Sequence, residues 1–176
     1  GKGSLKSRPV SMIENPLHDL GASCETKSGL IPIKVKGPLK GGMTTIDGSV
    51  SSQFLTGLLI ALPCCNNDSE LIVDNLKSRP YIDMTIEALE KFGVIIKNYN
   101  YERFFIKGGQ KYKSCNFIVE GDWSGAAFLL VAAALCGKIE MNMINPDSRQ
   151  ADRKILDALK RAGAEVLISN KGIIVE

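Results

Sequence analysis

Three stretches of this chain repeat one pattern, and an internal repeat restricts the possible folds more than any single motif does. Ser7-Arg8-Pro9, Ser78-Arg79-Pro80 and Ser148-Arg149-Gln150 each open a helix-like run, and the runs close on Gly21-Ala22, Gly93-Val94 and Gly163-Ala164. Ser is a natural N-cap, Pro9 and Pro80 fall where a first helical turn tolerates proline, and a terminal glycine supplies a left-handed cap. Ile82, Ile86, Leu89 and Phe92 share one helical face, as do Ile155, Leu156, Leu159 and Ala162, which predicts core. Pro16 falls inside the first run, where proline costs about 3 kcal/mol or forces a kink.

The match extends upstream of the second and third copies. Thr45-Ile46-Asp47-Gly48-Ser49, then Ser52 and an apolar run from Phe54 to Leu62, is echoed by Ile118-Val119-Glu120-Gly121-Asp122, then Ser124 and Ala126 to Leu135. The last copy is slightly shorter, and the difference fits in the linker, where Cys136-Gly137-Lys138 replaces Pro63 to Ser69. Two strand-like pieces follow each second helix: Val94 to Lys97 with Tyr101 to Lys107, and Glu165 to Ile168 with Ile173 to Glu176. Turns join them at Asn98-Tyr99-Asn100 and Ser169-Asn170-Lys171-Gly172. Each full unit reads β-α-β-α-β-β, and the first copy, about Leu5 to Gly37, holds only the second half, so the chain reads as starting inside a unit. This predicts an α/β protein of mixed sheets covered by helices. Gly41-Gly42 and Gly108-Gly109 sit in turns, and no dinucleotide fingerprint, Walker A sequence, zinc-protease motif or calcium loop occurs.

The stretch Asp47-Gly48-Ser49-Val50-Ser51-Ser52-Gln53-Phe54 lies between a strand-like run, Met43 to Ile46, and the apolar helix through Leu55, Leu58, Leu59 and Leu62. A strand-to-helix turn leaves the first helical N–H groups unpaired with the positive end of the helix dipole behind them, which is a ready anion seat. Ser51 and Ser52 add hydroxyl donors, and Gln53 adds an amide that donates and accepts, which suits a ligand carrying phosphate and hydroxyls. Taken alone, a Ser-Ser-Gln before a helix is more often an N-cap.

Composition narrows the function classes. With 176 residues, 44% hydrophobic and 23% charged, the chain can bury a real core as an ordinary globular protein. No apolar run is long enough to span a bilayer, and Gly1-Lys2-Gly3-Ser4 begins no signal peptide, so a cytoplasmic location is expected. A net charge of +3, spread along the chain, is too small to argue for nucleic acid and leaves small anionic ligands open. Five cysteines, Cys24, Cys64, Cys65, Cys115 and Cys136, without metal spacing, read as reduced thiols, mostly core filler. His18 is the only histidine, expected on a helix surface, and no nucleophile stands beside it in sequence.

Three motifs in order, Asp47 to Leu55, Ser78-Arg79-Pro80-Tyr81-Ile82-Asp83-Met84-Thr85 and Val119-Glu120-Gly121-Asp122, closely resemble the 5-enolpyruvylshikimate-3-phosphate synthase family. Phe92-Gly93-Val94 and Ser7-Arg8-Pro9 fit it too, and the resemblance covers essentially the whole chain. The related UDP-N-acetylglucosamine enolpyruvyl transferases share the repeat but lack this Ser-Ser-Gln and Ser-x-Pro-Tyr pair. The resemblance implies the enolpyruvyl transferase (inside-out α/β barrel) fold: six units in two lobes of three, mixed sheets with helices packed inside, and substrates in the cleft between the lobes. Residues 1–117 would be part of the first lobe, with a half unit at 5–37 and a full unit at 41–116; residues 118–176 would be the first unit of the second lobe. The reaction implied is transfer of a carboxyvinyl group from phosphoenolpyruvate to the 5-hydroxyl of shikimate 3-phosphate.

Carried over residue by residue, the resemblance makes Ser51, Ser52, Gln53, Ser78 and Tyr81 ligands of shikimate 3-phosphate. It makes Arg8 and Gln53 ligands of phosphoenolpyruvate. A guanidinium fork suits phosphate, and Arg8 at a helix start would oppose the dipole, which favours a ligand over a solvated charge. Asp122 and Ser148-Arg149-Gln150 depart from the binding versions of the repeat and are expected to be structural, while Trp123 has only packing to explain it. The family's early Lys-Ser pair, its Asn-Ala-Gly-Thr loop and its C-terminal Asp, Glu, Arg and Lys residues are missing from this chain. It therefore resembles an internal stretch of the enzyme, holds no catalytic residue, and is expected to be inactive alone. No cofactor or metal is implied. The partners implied are the two small-molecule substrates, with no nucleic acid and no membrane, and a monomeric enzyme. The alternative is a non-catalytic phosphate-binding or scaffold fragment of α/β repeats.

Overall fold

Three glycine-terminated helices recur along the chain with the same closing hydrogen bonds. The computed structural model describes residues 3–169 and 172–176; Gly1 and Lys2 of the N-terminal stretch, and Asn170-Lys171 of the last expected turn, lie outside the described residues. Helix α1 (Glu14–Asp19), α3 (Arg79–Lys91) and α5 (Ile155–Arg161) end at Gly21, Gly93 and Gly163, at φ of 91°, 79° and 95°. Behind each glycine the same two bonds form: Gly21 N to His18 O and Ala22 N to Leu17 O, Gly93 N to Glu90 O and Val94 N to Leu89 O, Gly163 N to Lys160 O and Ala164 N to Leu159 O. This is the Schellman pair, and it satisfies the last carbonyls of each helix.

Two compact units, Gly1–Cys115 and Asn116–Glu176, divide the chain. In the first, α1 leads into the antiparallel pair β1 (Ser23–Lys27) and β2 (Leu30–Lys36). A complete unit follows: β3 (Met43–Asp47), α2 (Ser52–Ala61), β4 (Ser69–Asp74), α3, β5 (Ile96–Tyr99) and β6 (Arg103–Ile106). Its sheet is mixed, in the order β3-β4-β6-β5, with β3 parallel to β4 and the other pairs antiparallel. Ser69, Leu71 and Val73 of β4 are buried between less buried neighbours, so one sheet face is core. Leu55, Leu58 and Leu59 of α2 and Ile82 and Leu89 of α3 pack in the same cluster as Leu71, Phe104 and Ile106. Thr44 donates to Asp19 at 2.6 Å and ties α1 to β3.

In the second unit α4 (Trp123–Cys136), β7 (Ile139–Asn142), α5, β8 (Val166–Ser169) and β9 (Gly172–Val175) repeat this order, with the sheet arranged β7-β9-β8 as β4-β6-β5 are in the first. The mixed α/β architecture matches the expected fold class. Trp123, Ala126, Leu130 and Ala133 form the buried side of α4, yet Phe128 and Leu135 on the same helix stand 79% and 78% exposed. Among the described residues no helix is long and apolar enough to cross a membrane.

Four local expectations change. The first helical run does not form from Ser7: short 3-10 turns at Gly3–Ser7 and Ser11–Ile13 precede α1. Pro16 is therefore in a first turn, where its missing N–H breaks no helical bond, and the expected cost disappears. Residues 116–121 form no strand; Ile118 and Val119 are 87% and 77% exposed, so burial does not drive the pairing, and Gly121 N bonds to Met143 O in place of a ladder. Of the two predicted helical faces, Ile82, Leu89, Leu156 and Leu159 are buried, Ile86 and Ile155 are partly so, Phe92 is partly open, and Ala162 is exposed in the last turn. His18 is exposed on α1 as expected, with its ring accepting a bond from Cys24 N.

Candidate functional site

The turn from β3 into α2 is built around Asp47. Its carboxylate accepts from Ser49 N at 2.9 Å, and that backbone bond, followed by the Ser49 hydroxyl and the charge of Lys77, holds the carboxyl below its usual value. Gly48 donates to Asp74 O, and a Cβ there would lie 2.9 Å from Leu76 Cα, so only glycine lets this turn approach the loop that leads into α3. The close approach sets the starts of α2 and α3 beside each other. Ser51 is the N-cap of α2, and its Oγ accepts from Gln53 N at 3.2 Å. That bond uses a lone pair and leaves the hydroxyl proton available, so the capping and binding readings are compatible. Ser78 is the N-cap residue of α3 but makes no side-chain capping bond.

Ser51, Ser52, Gln53, Ser78 and Tyr81 all line one cavity of about 950 Å³. Two helix N-termini thus face one space, each with partial positive charge. Beyond them the cavity continues between α2 and α3 along Thr56, Ile60, Met84 and Thr85 to Phe92 and Tyr112. Tyr112 closes that end by donating to Ile60 O at 2.6 Å, one of the carbonyls that a helix end leaves unpaired; burial, with Cys64 nearby, pushes its phenol up. Among the described residues no Asp, Glu, Lys or Arg lines the cavity. Its hydroxyls, amide and helix dipoles can bind an anion, but nothing in it can act as a general acid or base at neutral pH. Among the described residues no group of metal-ligating side chains occurs.

Arg8 does not line this cavity; it is exposed, with its N–H bonded to Leu5 O. No α-helix begins at Arg8, so the dipole argument for a ligand role falls and only the resemblance still carries that role. Arg79, next to Ser78, is held 5.0 Å from the centre of the Tyr101 ring, and Tyr101 donates to Asp83 at 2.7 Å. The cavity residues that sequence reasoning missed include Thr56 and Thr85. Each lies one helical turn after an expected ligand, Ser52 or Tyr81, and that i, i+4 spacing was the available signal.

The second unit repeats this turn without its opening. Gly121 donates to Met143 O as Gly48 does to Asp74 O. Asp122 caps α4, accepting from Ser124 N and Gly125 N, and Gln150 accepts from Trp123 N at 2.9 Å. Trp123 is fully buried and donates from Nε1 to Asn145 O at 3.0 Å, which supplies the reason for a large residue there. Glu120 accepts from Ser148, Gln150 and Asn145. Ser148, expected as an N-cap, accepts from Gln150 N at 3.0 Å and gives its proton to Glu120, while the N-cap position itself falls two residues on, at Gln150.

The family model described as EPSP synthase (3-phosphoshikimate 1-carboxyvinyltransferase) matches residues 1–176. A 3-phosphoshikimate 1-carboxyvinyltransferase of Clostridium beijerinckii is 41% identical over 175 residues, which is 99% of this chain and 40% of the relative. One from a Sulfurovum species is 44% identical over 172 residues, 94% of this chain and 40% of the relative. The solved EPSP synthase of Acinetobacter baumannii superposes with a TM-score of 0.68 at 25% identity, covering 99% of this chain and 40% of that one. The chain thus spans about 40% of the length of the curated relatives it matches. With a family match over its whole length and the repeated α/β unit of its solved relative, this chain belongs to the EPSP synthase (3-phosphoshikimate 1-carboxyvinyltransferase) family.

Proposed function

We propose that this chain carries the shikimate 3-phosphate part of the substrate site of an enzyme that transfers a carboxyvinyl group from phosphoenolpyruvate. The observation that carries the reading is the cavity where the starts of α2 and α3 meet, lined by Ser51, Ser52, Gln53, Ser78 and Tyr81 and, among the described residues, by no carboxylate. A dianionic phosphate fits hydroxyl donors and two helix N-termini, and a ring bearing hydroxyls fits Gln53 and Tyr81. Gln53 and Arg8 serve phosphoenolpyruvate in this reading. Residues 1–117 belong to the first lobe and 118–176 open the second. The complete enzyme is a cytoplasmic monomer acting on two small molecules, without nucleic acid, membrane or cofactor.

The chemistry protonates the methylene carbon of phosphoenolpyruvate and deprotonates a hydroxyl, so it needs an acid and a base within reach of the reacting atoms. The cavity offers neither. The chain by itself therefore binds and does not turn over. Titration of shikimate 3-phosphate into isotopically labelled protein should move the amide resonances of Ser51, Ser52, Ser78 and Tyr81; shifts confined to other residues would reject the site. A phosphate-release assay with both substrates should stay at the buffer control. Release above it that Gln53→Ala abolishes would show that the chain is catalytic.

A further inference from the structure

Midway along the cavity, Thr56 of α2 and Thr85 of α3 meet with their hydroxyl oxygens 3.2 Å apart. Thr85 Oγ1 also donates to Tyr81 O, one turn back on α3, at 2.8 Å. A threonine hydroxyl has one proton. Because the Thr85 proton goes to Tyr81 O, the contact between the two threonines must be donated by Thr56. The result is a directed chain, Thr56 O–H to Thr85 O–H to Tyr81 O, that starts on α2 and ends in the first turn of α3. Ser52 precedes Thr56 by one turn, and Ser78 stands at the N-cap ahead of Tyr81. Since Ser78 makes no capping bond, the first turn of α3 takes none of its position from a side-chain cap.

We infer that Thr56 and Thr85 are positioning residues: their hydroxyl chain sets the separation of the two helix starts, and with it the gap that one phosphate bridges between Ser52 and Ser78. The inference rests on the shikimate 3-phosphate reading of the cavity. It also explains why a groove otherwise lined by Ile60, Met84 and Phe92 holds two facing hydroxyls at its midpoint. Two threonines that merely fill the helix interface would use their methyl groups. Valine keeps that shape and removes the hydrogen bonds, whereas serine keeps the hydroxyl and drops the methyl.

The test is a set of four variants of this chain, Thr56→Val, Thr85→Val, Thr56→Ser and the double valine, with folding checked by circular dichroism. Shikimate 3-phosphate affinity is measured by calorimetry. Thr56→Val and Thr85→Val should each weaken binding by about 3–10-fold, the scale of one neutral hydrogen bond. Thr56→Ser should bind as the original chain does, and the double valine no worse than Thr85→Val, because groups in one chain are coupled. Valine variants that bind normally, or a serine variant that binds as poorly as the valine one, overturn the inference. A ligand-free measurement separates it from the reading it rests on: in Thr56→Val the Tyr81 carbonyl carbon and the Ser52 and Ser78 amide resonances should shift. If the original chain fails to bind shikimate 3-phosphate, the reading falls; if those resonances stay in place, the hydroxyl chain falls.

Discussion

The start of α2 and the start of α4 occupy the same place in the repeat and have opposite characters. Both follow a glycine whose N–H bonds back to the end of the next strand, Gly48 to Asp74 at the end of β4 and Gly121 to Met143 just past β7, and both glycines exclude a Cβ by close approach. At α4 an acidic cap and a glutamine absorb the N–H groups of Trp123, Ser124 and Gly125, and Trp123 fills the space. At α2 the capping serine takes Gln53 N, the nearby Asp47 carboxylate is turned onto Ser49 N, and among the described residues no acid lines the cavity. A helix start becomes a ligand site when its donors are left without internal acceptors, and a structural joint when side chains supply them.

The comparison breaks first at Trp123. Trp123→Ala removes a fully buried indole and should destabilise the second unit by about 3–5 kcal/mol, read from denaturant unfolding followed by circular dichroism. A loss under about 1 kcal/mol would mean that the joint does not need its plug. The paired glycines come next. Gly48→Ala and Gly121→Ala each force a Cβ to within 3 Å of packed atoms and should cost about 1–3 kcal/mol. Only Gly48→Ala should also weaken shikimate 3-phosphate binding, and equal effects on binding from both would erase the distinction between the two turns.

Ser52→Ala probes the open turn directly. Calorimetry should record a loss of about 1 kcal/mol in shikimate 3-phosphate binding for a neutral bond, and more against charged phosphate. The smallest effect is expected at Glu120. Burial pushes its carboxyl up, and hydrogen bonds from Gln150, Ser148 and Asn145 together outweigh burial and leave it below its usual value. A depressed carboxyl contributes stability that is complete above its unfolded value, about 4.3, and is lost as pH falls through the folded value. The stability gap between the original chain and Glu120→Gln should therefore be widest near neutral pH and shrink in acid. A gap that does not change with pH would remove Glu120 from the joint's electrostatics.

Local signals were read well wherever one residue type has one dominant use. The terminal glycines of three runs all became Schellman caps, and the alternation of strands and helices became the mixed sheets. The reading failed where a neighbour in space decided the outcome. Pro16 looked disruptive because the helix was started at Ser7, and only the observed start at Glu14 makes it harmless. Ile118-Val119 looked like a strand because it echoes Thr45-Ile46, yet no core receives those side chains. Ser148 looked like a helix cap, and its Oγ does accept from Gln150 N, but the helical turn starts two residues later and the hydroxyl proton ties it to Glu120.

By itself the amino-acid sequence determined the unit order, the helix stops and the family, because motifs and hydrophobic periods act over a few residues, and through the family it singled out Ser51, Ser52, Gln53, Ser78 and Tyr81 as expected ligands. Tertiary structure alone decided that these residues share one cavity, that Arg8 is not among those lining it, and that Thr56 and Thr85 meet across it. It also decided that the equivalent turn in the second unit is closed by Trp123 and Gln150. Whether a donor meets an internal acceptor or an open space depends on groups far away along the chain, and only packing brings them within the 3 Å or so over which hydrogen bonds form.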